Sequence, residues 1–340
     1  MRNIIDFHHH WMPREHVEHP ELLLRPGETI REVVLSDGQR SKRIARNGMA
    51  LITVEERRYF IDQRLKDMEE ANVSAAIFTM ATWQSFMEDL PTCQFVNDEM
   101  AKAIQDHPKQ LVGAAHLPLG PAKESAKELE RAIKELGFRA MGIVTNVNGV
   151  FPDNEAYYPL YEVAEAYNVP VIVHCAASPA DDFSMREYDL SRTVGREVDH
   201  TLAVVRLFRS EVLDRFPNLT FVHGHLGGTF FMSTFRYGRE EGVIESRTIE
   251  QGKPELSREG LRERIKNFYF ATTFWEPRAI QYAVEALGSE HIVFGSDYPI
   301  RTRIMSEIAA AIESLDISQE AKENIAYKNA QRIFGAPFPG

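Results

Sequence analysis

Near the start of the chain runs Asp6-Phe7-His8-His9-His10-Trp11-Met12-Pro13. In an extended segment alternate side chains share a face, so His8 and His10 point together and His9 points away. Two imidazoles on one face can hold a single divalent ion between them. The cluster continues an apolar strand pattern, which argues against a purification-tag remnant. H-x-H also arises by chance, so it needs company. His174 closes the apolar run Pro170-Val171-Ile172-Val173. His223-Gly224-His225-Leu226-Gly227-Gly228 follows another such run, with glycines that allow close approach of backbone or ligand. Asp297 sits in Phe294-Gly295-Ser296-Asp297-Tyr298-Pro299. Each group alone has an ordinary explanation, such as a core histidine or a turn-capping aspartate. Together they occupy the C-terminal ends of strand-like segments, where barrel enzymes build their active sites. Imidazoles and a carboxylate form a donor set suited to zinc, with manganese as the alternative.

The elements that would position these groups can be read from periodicity. Short apolar runs at residues 3–7, 74–80, 111–117, 140–145, 170–174, 219–222, 268–271 and 291–294 alternate with amphipathic stretches. Residues 55–71, 122–136, 154–167 and 201–216 have helical spacing. Gly137 stands where a C-terminal cap belongs. Eight strands, each followed by a helix, close most naturally into a (β/α)₈ TIM barrel of the metal-dependent hydrolase type. The 340 residues then form one barrel domain. Residues 18–54 break the rhythm. Ser36-Asp37-Gly38 is a turn signal between two short runs, so this segment is expected to be an insertion after the first strand, a β-hairpin near the barrel mouth. Residues 318–334 read as a final helix capped by Ser318.

Composition narrows the class of partner. The net charge of −11 is spread along the chain, with no basic stripe for a nucleic acid. A few arginines in a cleft can still favour an anionic substrate. The two cysteines, Cys93 and Cys175, make neither a disulfide framework nor a CxxC site, as expected of a reducing compartment. The opening residues lack the apolar stretch of a signal peptide, and no run is long enough for a membrane span. The expectation is a cytoplasmic enzyme for a small carboxylate, assembled as a homodimer or tetramer.

These motifs resemble those of the amidohydrolase superfamily, in the branch of aminocarboxymuconate-semialdehyde decarboxylase. The resemblance rests on D-x-H-x-H-x-x-P at 6–13, P-V-I-V-H at 170–174, R-F-P-N-L-T-F-V-H-G-H-L-G-G at 215–228, F-G-S-D-Y-P at 294–299 and A-x-x-N-A-x-R-x-F at 326–334. It covers nearly the whole chain apart from residues 18–54. It implies one divalent metal held by His8, His10, His174 and Asp297, with His225 as the acid/base beside it. It also implies substrate-binding roles for Arg236, eleven residues after His225, and for Arg64; the alternative for Arg64 is a helix-surface ion pair. The implied reaction is decarboxylation of an aromatic or muconate-type acid, with hydrolysis or hydration of a ring-cleavage product as the alternative. Leu226 and Phe230-Phe231 intrude where the branch often has glycines and a proline, which hints at a more apolar substrate. No lysine ends the fourth strand at Ile143-Val144-Thr145-Asn146, so a carbamylated bridge between two metals is not expected. The H-x-H start also differs from the E-x-H start of some aromatic-acid decarboxylases. If His225 moves a proton and is not a ligand, His225→Asn should keep metal and fold yet lose on the order of 10²–10⁴ in turnover. Loss of metal from that variant, measured by elemental analysis, would make His225 a ligand instead.

Overall fold

The computed structural model describes the chain except residues 36–37, 39, 47–48, 81–88, 120–121, 177–184, 186, 189, 192, 233–257, 274–275, 302, 336–337 and 339–340. Eight parallel strands follow the order in which they occur in the barrel: β1 (Ile4–Trp11), β5 (Val73–Met80), β6 (Leu111–Ala115), β7 (Ala140–Val144), β8 (Val171–His174), β9 (Phe221–His223), β10 (Phe268–Ala271) and β11 (Ile292–Val293). All eight expected strand segments are present. The helices that follow them are α1 (Ile61–Glu70), α2 (Leu90–Ile104), α3 (Ala122–Lys134), α4 (Tyr158–Ala166), α5 (Val194–Arg209), α6 (Arg258–Ile265), α7 (Pro277–Leu287) and α8 (Ile304–Glu313). None of the described helices is long and apolar enough to cross a membrane.

Alternation along the strands splits the core in two. Ile5, Phe7, Ala75, Ile77, Val112, Ala114, Ala140, Ile172, Val222, Ala271 and Val293 fill the barrel interior. Their neighbours, among them Phe78, Met141, Val171, Phe221, Phe268 and Phe294, pack outward against the helices. Such strands, buried on both faces, read as unbroken apolar runs. β11 has only two residues, and the barrel closes through backbone bonds just beyond it. Phe7 donates to the Phe294 carbonyl at 2.9 Å, Asp297 to the His8 carbonyl at 2.8 Å, and His10 to the Tyr298 carbonyl at 2.7 Å.

Three elements differ from expectation. The segment after β1 is a three-stranded antiparallel sheet, β2 (Glu28–Val34), β3 (Arg40–Arg46) and β4 (Met49–Val54), where a single hairpin was expected. The third strand follows because Leu51, Ile52 and Val54 join Ile44 in an apolar cluster with Met12, Val17, Leu23 and Met80. Met80 ends β5 and Met12 follows β1, so the small sheet packs on two C-terminal strand ends. Of the expected turn, Ser36 and Asp37 lie outside the described residues. Helix α5 begins at Val194, seven residues earlier than residue 201, and the chain breaks at Ser210 before a short turn at Val212–Arg215. The first turns of α5 bury Gly195, Asp199 and His200, whose polarity hides the inner face from a hydrophobic pattern. The tail helix keeps its Ser318 cap, whose hydroxyl accepts from the Ala321 N–H, but is interrupted by a wider turn at Asn324–Lys328.

Arg64 is neither a surface residue nor part of the barrel mouth. It is wholly buried on α1, its guanidinium centred 4.9 Å from the rings of both Phe78 and Tyr298. It donates to the carbonyls of His10 (2.9 Å), Arg58 (3.0 Å) and Arg57 (3.3 Å). Burial lowers its pKa to about 10, so it stays charged at neutral pH. The expected substrate contact is thus replaced by a structural one, since the fork is spent on three carbonyls that secure the end of β1. Arg64→Met should cost roughly 2–4 kcal/mol of stability in urea denaturation, because those carbonyls lose their donor. An unchanged denaturation midpoint with a large loss of kcat/KM would return Arg64 to the substrate.

Candidate active site

The described residues bring His8, His10, His174 and Asp297 together, one ligand atom from each lying within 4.8 Å of all the others. Simple alternation from Ile5 and Phe7 would send His9 into the barrel. A bulge prevents this. Asp6 pairs with Ala76 and His9 with Phe78, so β1 has three steps where β5 has two. The extra residue reverses the facing of the strand, and His8 and His10 turn inward. His9 then faces outward, stacked between Phe78 and Tyr298 at ring distances of 5.6 and 4.8 Å.

Each inward imidazole is held by its Nδ1. His10 is bonded to Thr79 Oγ1 at 3.0 Å, His8 to Thr273 Oγ1 at 3.2 Å, and His174 to the Cys175 carbonyl at 2.8 Å. That leaves the Nε2 atoms for the centre, where those of His8 and His10 lie 3.3 and 3.0 Å from Asp297 Oδ1. Second contacts of this kind orient metal-ligating histidines. Burial lowers the His8 pKa to about 4 and takes His10 well below its usual value; the nearby Asp297 opposes both shifts. Neutral rings are the state that ligates a metal. For Asp297 burial acts upward, but hydrogen bonds from His10 and His8 hold the carboxyl well below its ordinary range. Neutral imidazoles whose Nε2 atoms meet an ionised carboxylate in a buried cluster fit a divalent metal ion.

His225 stands beside this set. Its ring centroid is 5.4 Å from His8 and 6.3 Å from His174. Its Nδ1 lies 3.3 Å from Glu197 Oε1, on the first turn of α5, and its Nε2 lies 3.9 Å from the Cys175 sulfur. Burial alone would lower the His225 pKa, but Cys175 and Glu197 hold it up at about 10. The ring is therefore protonated at neutral pH. His225 and Leu226 adopt φ of +51° and +52°, a region costly to residues with a Cβ. Leu226, which intrudes where the resembled branch often has glycines, is wholly buried.

Several contributors escaped the sequence reading. Glu197 and Asp199 come from the part of α5 hidden by its polarity. Asp199 accepts from Asn146 Nδ2 at 2.7 Å, from the Ala176 N–H at 3.2 Å and from the Thr145 hydroxyl, tying the ends of β7 and β8 to α5. Burial raises its pKa to about 6, against those hydrogen bonds. Arg58, just after the small sheet, is buried, gives its Nε to the Thr53 carbonyl at 3.0 Å and interacts electrostatically with Asp297. Its sequence neighbours Glu55, Glu56 and Arg57 carry no signal of burial. Arg236 lies outside the described residues.

The family model described as "Amidohydrolase" matches residues 5–336. The 2-amino-3-carboxymuconate-6-semialdehyde decarboxylase of Dictyostelium discoideum is 28% identical over 286 residues, 81% of this chain and 76% of that protein. The gamma-resorcylate decarboxylase of Polaromonas sp. is 26% identical over 80% of this chain and 86% of its own length. Among solved structures, 5-carboxyvanillate decarboxylase from Sphingomonas paucimobilis superposes with a TM-score of 0.80 at 21% identity, covering 98% of this chain and 99% of that one. A dihydroxybenzoic acid decarboxylase from Polaromonas sp., with bound manganese and 2-nitroresorcinol, gives a TM-score of 0.77 at 21% identity, covering 98% and 97%.

One glycine tests the geometry of the centre. A Cβ on Gly224 would sit 2.5 Å from His8 Cε1 and 2.6 Å from its Nδ1. Gly224→Ala should displace His8, weakening metal binding by about 10- to 100-fold while the protein still folds. Metal titration monitored by calorimetry reads this directly; unchanged affinity would mean that His8 is not a ligand.

Proposed function

The chain belongs to the amidohydrolase family, and from that premise we propose that it is a metal-dependent decarboxylase of a carboxylated aromatic or muconate-type acid. The observation that carries the reading is the placement of His225, a proton-bearing imidazole beside a buried His₃Asp cluster. Decarboxylation needs a proton delivered to the carbon that loses CO₂. It also needs a means of holding the substrate's anionic groups. Relatives that act on such acids support the same choice.

His8, His10, His174 and Asp297 would hold the ion, zinc or manganese, which when bound supplies a positive centre that polarises and orients substrate oxygens. Glu197, 3.3 Å from His225 Nδ1, orients the ring and leaves Nε2 as the proton donor. His225 donates its proton to the carboxylated carbon; the C–C bond to the carboxylate then breaks, its electron pair stays on the carbon skeleton, and CO₂ leaves. Arg58 provides a buried positive charge on the Asp297 side of the site, suited to a substrate carboxylate. Arg236 is proposed as a second guanidinium for the same purpose. Leu226, Phe230 and Phe231 pack in the apolar layer between strands and helices, where Phe230 stacks on Phe208 and Phe270 and supports the β9 end.

A panel of hydroxybenzoates and muconate-type acids, followed by both CO₂ release and loss of chromophore, tests the proposal. CO₂ should appear in step with chromophore loss. Chromophore loss without CO₂ would replace decarboxylation by water addition. Arg58→Ala and Arg236→Ala should each lower kcat/KM for the active acid by roughly 2–4 kcal/mol, and lysine should restore only part of this. Variants with unchanged kinetics would remove the arginine in question from the substrate site.

A further inference from the structure

Strand β7 carries a glycine at mid-length, a choice that weakens a strand and often marks a place where a ligand approaches closely. Gly142 is paired in register with Ile172, one of the residues that fill the barrel interior, so it faces inward. Barrel interiors are ordinarily filled by bulky side chains. Here, beyond its chain neighbours, a Cβ on Gly142 would meet only two atoms of the described residues within 4 Å. They are the Ala115 carbonyl oxygen at 3.6 Å and Thr79 Cγ2 at 4.0 Å. Gly142 is also partly exposed, whereas Met141, Ile143 and Val144 beside it are buried. The opening is therefore on the interior side of the strand and not on the helix side. Thr79 joins this recess to the His₃Asp cluster: its methyl faces Gly142, and its hydroxyl is bonded to His10 Nδ1 at 3.0 Å. His174, the next inward residue of β8 after Ile172, is partly exposed as well.

We propose that Gly142 sets the size limit of the substrate pocket on the β6–β7 side, its missing side chain leaving a methyl-sized recess for a small uncharged substituent of the substrate. The class of substituent follows from the walls. A methyl group and a carbonyl oxygen offer no positive charge, and the partial negative charge of that oxygen repels a carboxylate. An alanine is sterically admitted, since 3.6 and 4.0 Å are ordinary contact distances and the backbone at Gly142 lies outside the positive-φ region. Its methyl would then occupy the space that the substituent needs. The role in specificity rests on the His₃Asp cluster being a substrate site, as proposed above; the openness of the recess does not.

The test compares the wild type with Gly142→Ala, both loaded with Mn²⁺, on hydroxybenzoates methylated in turn at each open ring position and on their unmethylated parents. Gly142→Ala should keep its metal and a denaturation midpoint no lower than the wild type's. For the isomer whose methyl enters the recess, its kcat/KM should fall about 10- to 100-fold further than for the parent, through KM and not kcat. Equal losses on every isomer and parent would overturn the proposal, as would a loss confined to kcat or a wild type that turns over the parent but no methylated isomer. Gly142→Cys supplies a readout without turnover. A small methanethiosulfonate should label it faster than the wild type, whose Cys93 and Cys175 are buried. Labelling no faster than the wild type's would mean that the recess is closed to the barrel mouth, and would overturn the proposal on its own. If no acid of the panel turns over, the decarboxylase reading falls, while the labelling still upholds or overturns the recess.

Discussion

A single buried carboxylate holds the seam on which this site depends. Asp6 accepts from the backbone N–H of His8 (3.1 Å), from His9 Nδ1 (2.9 Å), and from the N–H (3.0 Å) and hydroxyl of Ser296. Two of these donors belong to β1 and two to the segment after β11, the strands between which the barrel closes. β11 is too short to pair along β1, so the seam has few ladder bonds of its own. His8 and His10 lie on one side of it and Asp297 on the other. Charge-assisted hydrogen bonds in a buried setting are strong and directional, and here they set the spacing between ligands that come from opposite ends of the chain.

A similar arrangement serves the other half of the site. Asp199 joins Thr145 and Asn146 after β7 to Ala176 after β8, and Glu197, two residues earlier on the same helix, reaches His225 after β9. One helix thus references three consecutive strand ends to each other. Helices pack more rigidly than loops, so a site built this way keeps its geometry without relying on the loops around it. Arg64 does for the end of β1 what Asp199 does for β8, but with the opposite charge and with backbone carbonyls as partners.

This order has local costs. Asp297, His225 and Leu226 all adopt positive φ, and His8, His10, His200 and His223 are buried neutral. Such strain persists only where surrounding structure over-determines it. The aromatic stack of Phe208, Phe221, Phe268 and Phe270 beneath the β9 and β10 ends supplies dense packing of that kind. His223 lies against the same rings, 5.9 Å from Phe268. Chemistry concentrates at the strand ends, while the apolar layers below and around them hold those ends in place.

Much of this was legible in the sequence. The eight strands show as apolar runs because they are buried on both faces, and burial is what a run of Val, Ile and Phe reports. The grouping of His8, His10, His174 and Asp297 follows from their common place at strand ends, since a barrel gathers all such ends at one rim. Even so, alternation along β1 says only that His8 and His10 share a face. Which face points inward was decided by a one-residue bulge against β5, a matter of pairing between strands some 70 residues apart. The burial of Arg64, the early start of α5 and the contributions of Glu197, Asp199, Thr79 and Thr273 were hidden for the same reason. A polar side chain reads as surface in a sequence because its type reports its cost in an apolar setting. Whether partners offset that cost depends on groups brought near only when the chain folds.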